Sequence, residues 1–207
     1  MIENPIEATL LMFVVERCKK LGITLSLSPK TYVVSGESKC SGYFDYENKV
    51  LAVALGFKDW KTTLLHEYSH MCQWEENSKE WRNYENTEKN QEYDLDDYLA
   101  GKPVPVKHVD AIIKKTIALE VDCERRVVGL LEAFGFSEKS ISEYKQKANA
   151  YALFYHQMKK HKKWYAPKSA PYKVKKFWSQ MPADLYIDHL SKKSIKLSEK
   201  LKGCLSN

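Results

Sequence analysis

Three residues in the stretch Leu64 to Trp74 have the types and spacing to hydrolyse an amide: His66, Glu67 and His70 form a His-Glu-x-x-His motif. Residues four apart share one face of a helix, so two imidazoles at this spacing can converge on one ion. Glu67 sits one residue round from His66, where its carboxylate can hold a water on that ion. Zinc lowers the pKa of such a water to roughly 7, and the glutamate takes its proton as the water attacks a carbonyl. The expected cofactor is Zn2+, the expected catalytic base Glu67, and the expected substrate a peptide or protein.

The elements that must position these groups come next. The motif lies within Trp60 to Glu76, a stretch without Gly or Pro, and Asp59 just before it offers an N-cap. A catalytic zinc needs a third protein ligand. The segment Ile113 to Phe134 supplies candidates, because Ile113, Ile117, Val127, Leu131 and Phe134 form a helical stripe on which Glu120 and Glu124 also fall. A carboxylate on a core-facing helical position is costly unless it is paired or bound to a metal. Glu120 is therefore assigned as the third metal ligand. Glu124 is assigned to the outer shell, accepting a hydrogen bond from a ring nitrogen of His66 or His70. Asp122 competes, but lies about 200° round the helix among Arg125, Arg126 and Lys115 and reads as solvated. The alternative for Glu120 and Glu124 is a buried salt bridge with Arg125, Arg126 or a distant lysine.

His66-Glu67-x-x-His70 followed by Glu120-x-x-Cys123-Glu124 resembles the gluzincin arrangement of zinc metallopeptidases, in which the second motif is Glu, two variable residues, a small residue, and Asp or Asn. Thermolysin-like, CAAX-type and ImmA/IrrE-type proteases share that pattern, and with the last group the similarity extends to Leu130-Leu131. The chain also resembles metallopeptidases encoded by bacteriophages. It departs from the pattern at Glu124, where the family has Asp or Asn, and 49 residues separate His70 from Glu120. The resemblance implies a zincin-like fold and peptide-bond hydrolysis.

At 207 residues the chain is long enough for one domain with its own core, so residues 1–207 are read as a single metallopeptidase domain. Five cysteines, odd in number and scattered without a C-x-x-C pair, argue against a disulfide scaffold or a cysteine zinc module. Met1-Ile2-Glu3-Asn4-Pro5 lacks a basic n-region, and Leu10 to Val15 is too short for a signal or a membrane span. A cytoplasmic protein with no membrane partner is expected. The net charge of +6 is unevenly spread: Glu75 to Leu99 holds nine acids against three bases, while Met158 to Lys202 holds thirteen lysines against three acids. The acidic stretch reads either as a binding loop for basic peptides or as the internal partner of the lysine-rich one.

In chain order, Pro5 to Lys20 reads as a helix with Ile6, Leu10, Phe13, Val14 and Val15 inward, ended by Gly22. Strands are expected at Ile23 to Ser28, Thr31 to Val34, Gly42 to Tyr46 and Val50 to Leu55, the last two flanking a turn at Glu47-Asn48-Lys49. Val50 to Leu55 is either the sheet edge that binds substrate backbone or a central strand. A short helix is expected over Asp94 to Ala100. Ser140-x-x-Glu143 offers a capping box for a helix running to about Lys160, with Ile141, Tyr144, Ala148, Tyr151, Tyr155 and Met158 inward. Tyr155, with Tyr151 and His156 as alternatives, is the candidate to stabilise the oxyanion. His108, His161 and His189 have no partner at ligand spacing and read as surface or capping residues.

Residues 158–207 are basic and aromatic-rich. Trp164 to Pro182 reads as irregular and Leu185 to Leu201 as a final helix. Lysines interleaved with aromatics can bind nucleic acid, which would make the protein a nucleic-acid-associated one whose zinc site serves DNA-linked proteolysis, resembling SprT-like enzymes only in its motif. The alternative is a wrapping segment whose rings fill the core and whose lysines face water. The expected architecture is α+β, mostly helical, with a small antiparallel sheet beside the His-Glu-x-x-His helix.

Overall fold

The structure is a computed structural model, and it describes residues 5–36, 38–89, 95–166 and 168–205. The fold is α+β and mostly helical, as expected. Two compact units divide it: residues 1–78 with 129–135, and residues 79–128 with 136–207.

The first unit opens with α1 (Pro5–Leu21), whose buried residues Leu10, Val14 and Cys18 recur every fourth position. That stripe differs from the expected one. Cys18 takes an inward place, while Ile6 and Phe13 are partly exposed, Phe13 resting against Tyr68 with ring centroids 5.0 Å apart. Gly22 ends the helix with φ 67°, a left-handed conformation that favours glycine. Five strands follow: β1 (Thr24–Ser28), β2 (Val33–Ser35), β3 (Ser38–Cys40), β4 (Gly42–Asp45) and β5 (Val50–Ala54).

The main sheet runs β1-β5-β4, with β1 parallel to β5 and β4 antiparallel to it, so it is mixed rather than antiparallel. Within this sheet β4 and β5 are joined as a hairpin. Their turn is held by the Asp45 carboxylate, which accepts from the backbone N–H and side-chain amide of Asn48 at 2.9 and 2.8 Å. β2 and β3 form a separate antiparallel pair, and β3 had no clear signal in a polar Ser-Lys-Cys stretch. β5 is the central strand, buried along Leu51 to Ala54, which settles its alternative readings against an edge. That role suits its residues, since a strand covered on both faces reads as a continuous apolar run.

Helix α2 (Trp60–Glu75) packs on β4 and β5, and its Leu64, Leu65, Tyr68 and Met71 are buried, Met71 beside Cys18 of α1. Asp59 holds the N-cap position without a side-chain cap; its carbonyl instead accepts from the Thr63 N–H and the Thr62 hydroxyl. Gly42 makes this approach possible. A β-carbon there would lie 2.7 Å from Thr63 Cγ2 and 3.1 Å from Glu67 Cγ, so the strand passes the helix closely at the level of Glu67.

The second unit holds α3 (Lys79–Lys89), α4 (Leu95–Leu99), most of α5 (Val106–Ala133), α6 (Glu138–His161), α7 (Lys175–Trp178), α8 (Lys192–Ser198) and a 3-10 helix, Glu199–Cys204. α5 starts seven residues before the expected Ile113. α6 starts earlier too, because Ser137 rather than Ser140 is its N-cap, accepting from the Ser140 N–H. The final helix is shorter than Leu185 to Leu201, with Ser191 as its cap and turns before it. The acidic stretch is part helix, and Asp94 and Tyr93 lie outside the described residues. Tyr98 of α4 is buried; its hydroxyl donates to the Lys159 carbonyl at 2.5 Å and Lys162 sits 5.0 Å from its ring centroid. α4 thus meets the lysine-rich end of α6.

The core of this unit includes Ile117, Phe154, Met158, Phe177, Trp178, Leu201 and Cys204, with Trp164 and Tyr165 packed against it. Most rings of the C-terminal segment are therefore spent inside, Tyr186 being exposed, and lysines such as Lys168, Lys175 and Lys176 face outward. His189 is buried, not a surface residue: its Nε2 donates to Asn149 Oδ1 at 2.6 Å, while Asn149 Nδ2 donates to the carbonyls of Pro182 and Asp184. His156, a catalytic alternative in the sequence, turns to the same segment, with its Nε2 2.8 Å from the His189 carbonyl.

Burial, and next the charge of Arg125, push the His189 imidazole down to about 4 from 6.5. The folded state keeps this ring neutral while the unfolded state protonates it, so stability falls as pH drops from 6.5 towards 4. The shift corresponds to about 3 kcal/mol across that window. Urea unfolding at pH 7 and pH 4.5 should show that loss in the wild type and a smaller one in His189→Gln.

Candidate functional site

α2 brings His66 and His70 to one helix face, and their two Nε2 atoms lie 3.1 Å apart with the rings nearly perpendicular, at 87°. Two nitrogens bound to one tetrahedral zinc at roughly 2.0–2.1 Å stand about 3.4 Å apart. The pair therefore already has close to the spacing an ion would require. Both rings are half-buried, and Glu67, one position on from His66, is buried against the β4 side at Gly42.

The outer nitrogen of His70 is taken within the same helix: Nδ1 lies 2.8 Å from Oε1 of Gln73, which is wholly buried. The sequence reading assigned the outer-shell role to Glu124 and missed Gln73. The signal was present, since Gln73 follows His70 by three and His66 by seven, both helical neighbour spacings, and a polar residue on a buried face needs a partner.

In the second unit, α5 carries Glu120, Cys123 and Glu124 on its buried face, 8%, 0% and 5% exposed. The Tyr144 hydroxyl of α6 donates to Glu124 Oε2, a partner not foreseen although Tyr144 stood on the expected inward stripe. Burial raises the Tyr144 phenol well above its ordinary value, and the charge of Glu124 adds to this. Asp122 pairs with Arg126 at 2.9 Å, partly exposed, as its solvated reading required. Arg125 is exposed over the Tyr186 ring at 5.5 Å from its centroid.

Tyr155 and Tyr151 sit near Glu120. Their hydroxyls are 3.2 Å apart and their rings meet edge to face. Burial raises the Tyr155 phenol well above its ordinary value and the Glu120 charge is the next cause; for Tyr151 burial is followed by Tyr155 and then Glu120. Both phenols stay protonated at neutral pH, as hydrogen-bond donors.

Among the described residues, two sets could hold a metal ion: His66 with His70 and Cys123, and His66 with Glu120 and Glu124. They contain every ligand assigned from the sequence. Cys123 is an addition; in the sequence it stood as the small residue of the second motif. No described helix is long and apolar enough to cross a membrane. No protein-family model, curated protein or solved structure matches the chain.

Proposed function

We propose that the protein is a cytoplasmic zinc metallopeptidase of the gluzincin kind, hydrolysing peptide bonds in a peptide or protein substrate. The observation that carries this function is the pair of Nε2 atoms 3.1 Å apart on α2, with the other nitrogen of His70 occupied by Gln73. Nitrogen and carboxylate donors suit zinc, and His66, His70 and Glu120 would hold it. When bound, zinc supplies a water that loses its proton near neutral pH and a positive charge facing the substrate carbonyl.

The chain's own residues do the rest. Glu67 accepts the proton of the attacking water and passes it to the leaving amine. Its buried place beside Gly42 limits the positions its carboxylate can take. Tyr155, kept protonated, donates to the oxygen that gains negative charge. β4 rather than β5 ends the sheet on the side of α2, so the substrate backbone would add to β4. Any nucleic-acid role would fall to the exposed lysines of residues 158–207 and to Tyr186, since Trp164, Tyr165, Phe177 and Trp178 are committed to the core.

Elemental analysis of protein purified without added metal tests the reading. About one zinc per chain is expected in the wild type and little in His66→Ala. Full zinc occupancy in that variant, or a folded wild type that takes up none, would sink it.

A further inference from the structure

We infer that Gln73 is the positioning residue that selects the tautomer of His70, and so decides which ring nitrogen is available to an ion. The inference deepens the metallopeptidase reading, but its first consequence is a property of the metal-free protein.

The side-chain oxygen of a glutamine only accepts hydrogen bonds, so a ring nitrogen 2.8 Å from Gln73 Oε1 must carry the hydrogen. A neutral imidazole has one such hydrogen. His70 Nδ1 holds it, and Nε2 is left with a lone pair. Nε2 is the nitrogen that faces His66 Nε2 at 3.1 Å. A histidine side chain free in water favours the opposite arrangement, with the hydrogen on Nε2, and that tautomer would close the atom a metal needs.

Placement on one helix makes the device rigid. His70 and Gln73 are three residues apart on α2, and Gln73 is fully buried, so its amide is held by packing rather than by exposed contacts. Gln73 differs from a carboxylate in the same place because it carries no charge. It orients the ring without adding a negative charge to a site that already contains Glu67 on the same helix. Outer partners of this kind affect metal affinity by roughly 10–100-fold.

Long-range nitrogen–proton correlation spectra of metal-free protein at neutral pH read the tautomer directly, with the His70 signals identified by their loss in His70→Gln. The expected wild-type pattern has the hydrogen on Nδ1. Gln73→Leu, which keeps the volume and removes the acceptor, should shift it towards Nε2, and Gln73→Glu, which keeps an acceptor, should leave it on Nδ1. Competition with a chromophoric chelator should then give zinc binding about 10–100-fold weaker in Gln73→Leu and no weaker in Gln73→Glu.

A hydrogen on Nε2 in the wild type, or a Gln73→Leu spectrum identical to it, would overturn the inference. The wild-type spectrum decides even where the leucine variant does not fold. A wild type that binds no zinc while its spectrum shows Nδ1–H would refute the metallopeptidase and leave the role of Gln73 standing, so the two failures are distinct.

Discussion

Glu67→Gln is expected to keep about one zinc per chain and lose peptide hydrolysis by roughly 10²–10⁴-fold, the usual contribution of a positioned acid–base group. That loss corresponds to about 3–5 kcal/mol of transition-state stabilisation. Glutamine matches glutamate in shape, so the close contact with β4 at Gly42 is preserved and only the proton acceptor disappears. A fluorogenic peptide mixture and elemental analysis on the same preparation read both quantities. Retained zinc with undiminished hydrolysis would remove Glu67 from the mechanism. Retained zinc with no hydrolysis in either protein would make the centre structural.

Glu120→Gln is expected to weaken zinc binding by more than the roughly 10–100-fold that an outer partner costs, because it replaces a charged ligand with a neutral one. The metal-free variant carries the sharper test. A ligand carboxylate buried at 8% exposure is a liability until the ion arrives, so neutralising it should leave the metal-free protein as stable as the wild type or more so. A structural ion pair gives the opposite sign, since breaking a buried pair costs about 3–5 kcal/mol. Thermal unfolding of both proteins in excess chelator separates these outcomes. Unchanged zinc affinity would leave the remaining donors, Cys123 among them, as the ligands; cobalt substitution would then reveal a thiolate ligand through its charge-transfer band.

The helices that carry the candidate residues were more legible than the main sheet. His66, Glu67 and His70 stand on one unbroken helix whose periodicity is local, and local spacing is what a sequence records directly. Glu120 and Glu124 were readable as buried because they interrupt an apolar stripe. What escaped were partners set by tertiary choice. Tyr144 bonds Glu124 across 20 residues. Gln73 is local, three residues from His70, but an uncharged amide does not by its type mark a partner for an imidazole. The parallel pairing of β1 with β5 depends on where the chain returns after β4, which no strand signal encodes. Ser140-x-x-Glu143 matched a capping box, yet Ser137 fits the same role three residues earlier and won because the helix could extend. His189 lacked a ligand-spaced partner and was read as a surface or capping residue; its partner, Asn149, lies 40 residues away.

Leu201 and Cys204 are fully buried, and the Ala166 N–H is satisfied by the Cys204 carbonyl. During synthesis this matters for order. The hydrophobic interior gathered around α6 remains open until residue 204 has cleared the ribosome, some forty residues after α6 itself is complete. In that interval Phe154 and Met158 lack their final cover, so the nascent chain presents an adhesive surface of the kind that holding chaperones bind.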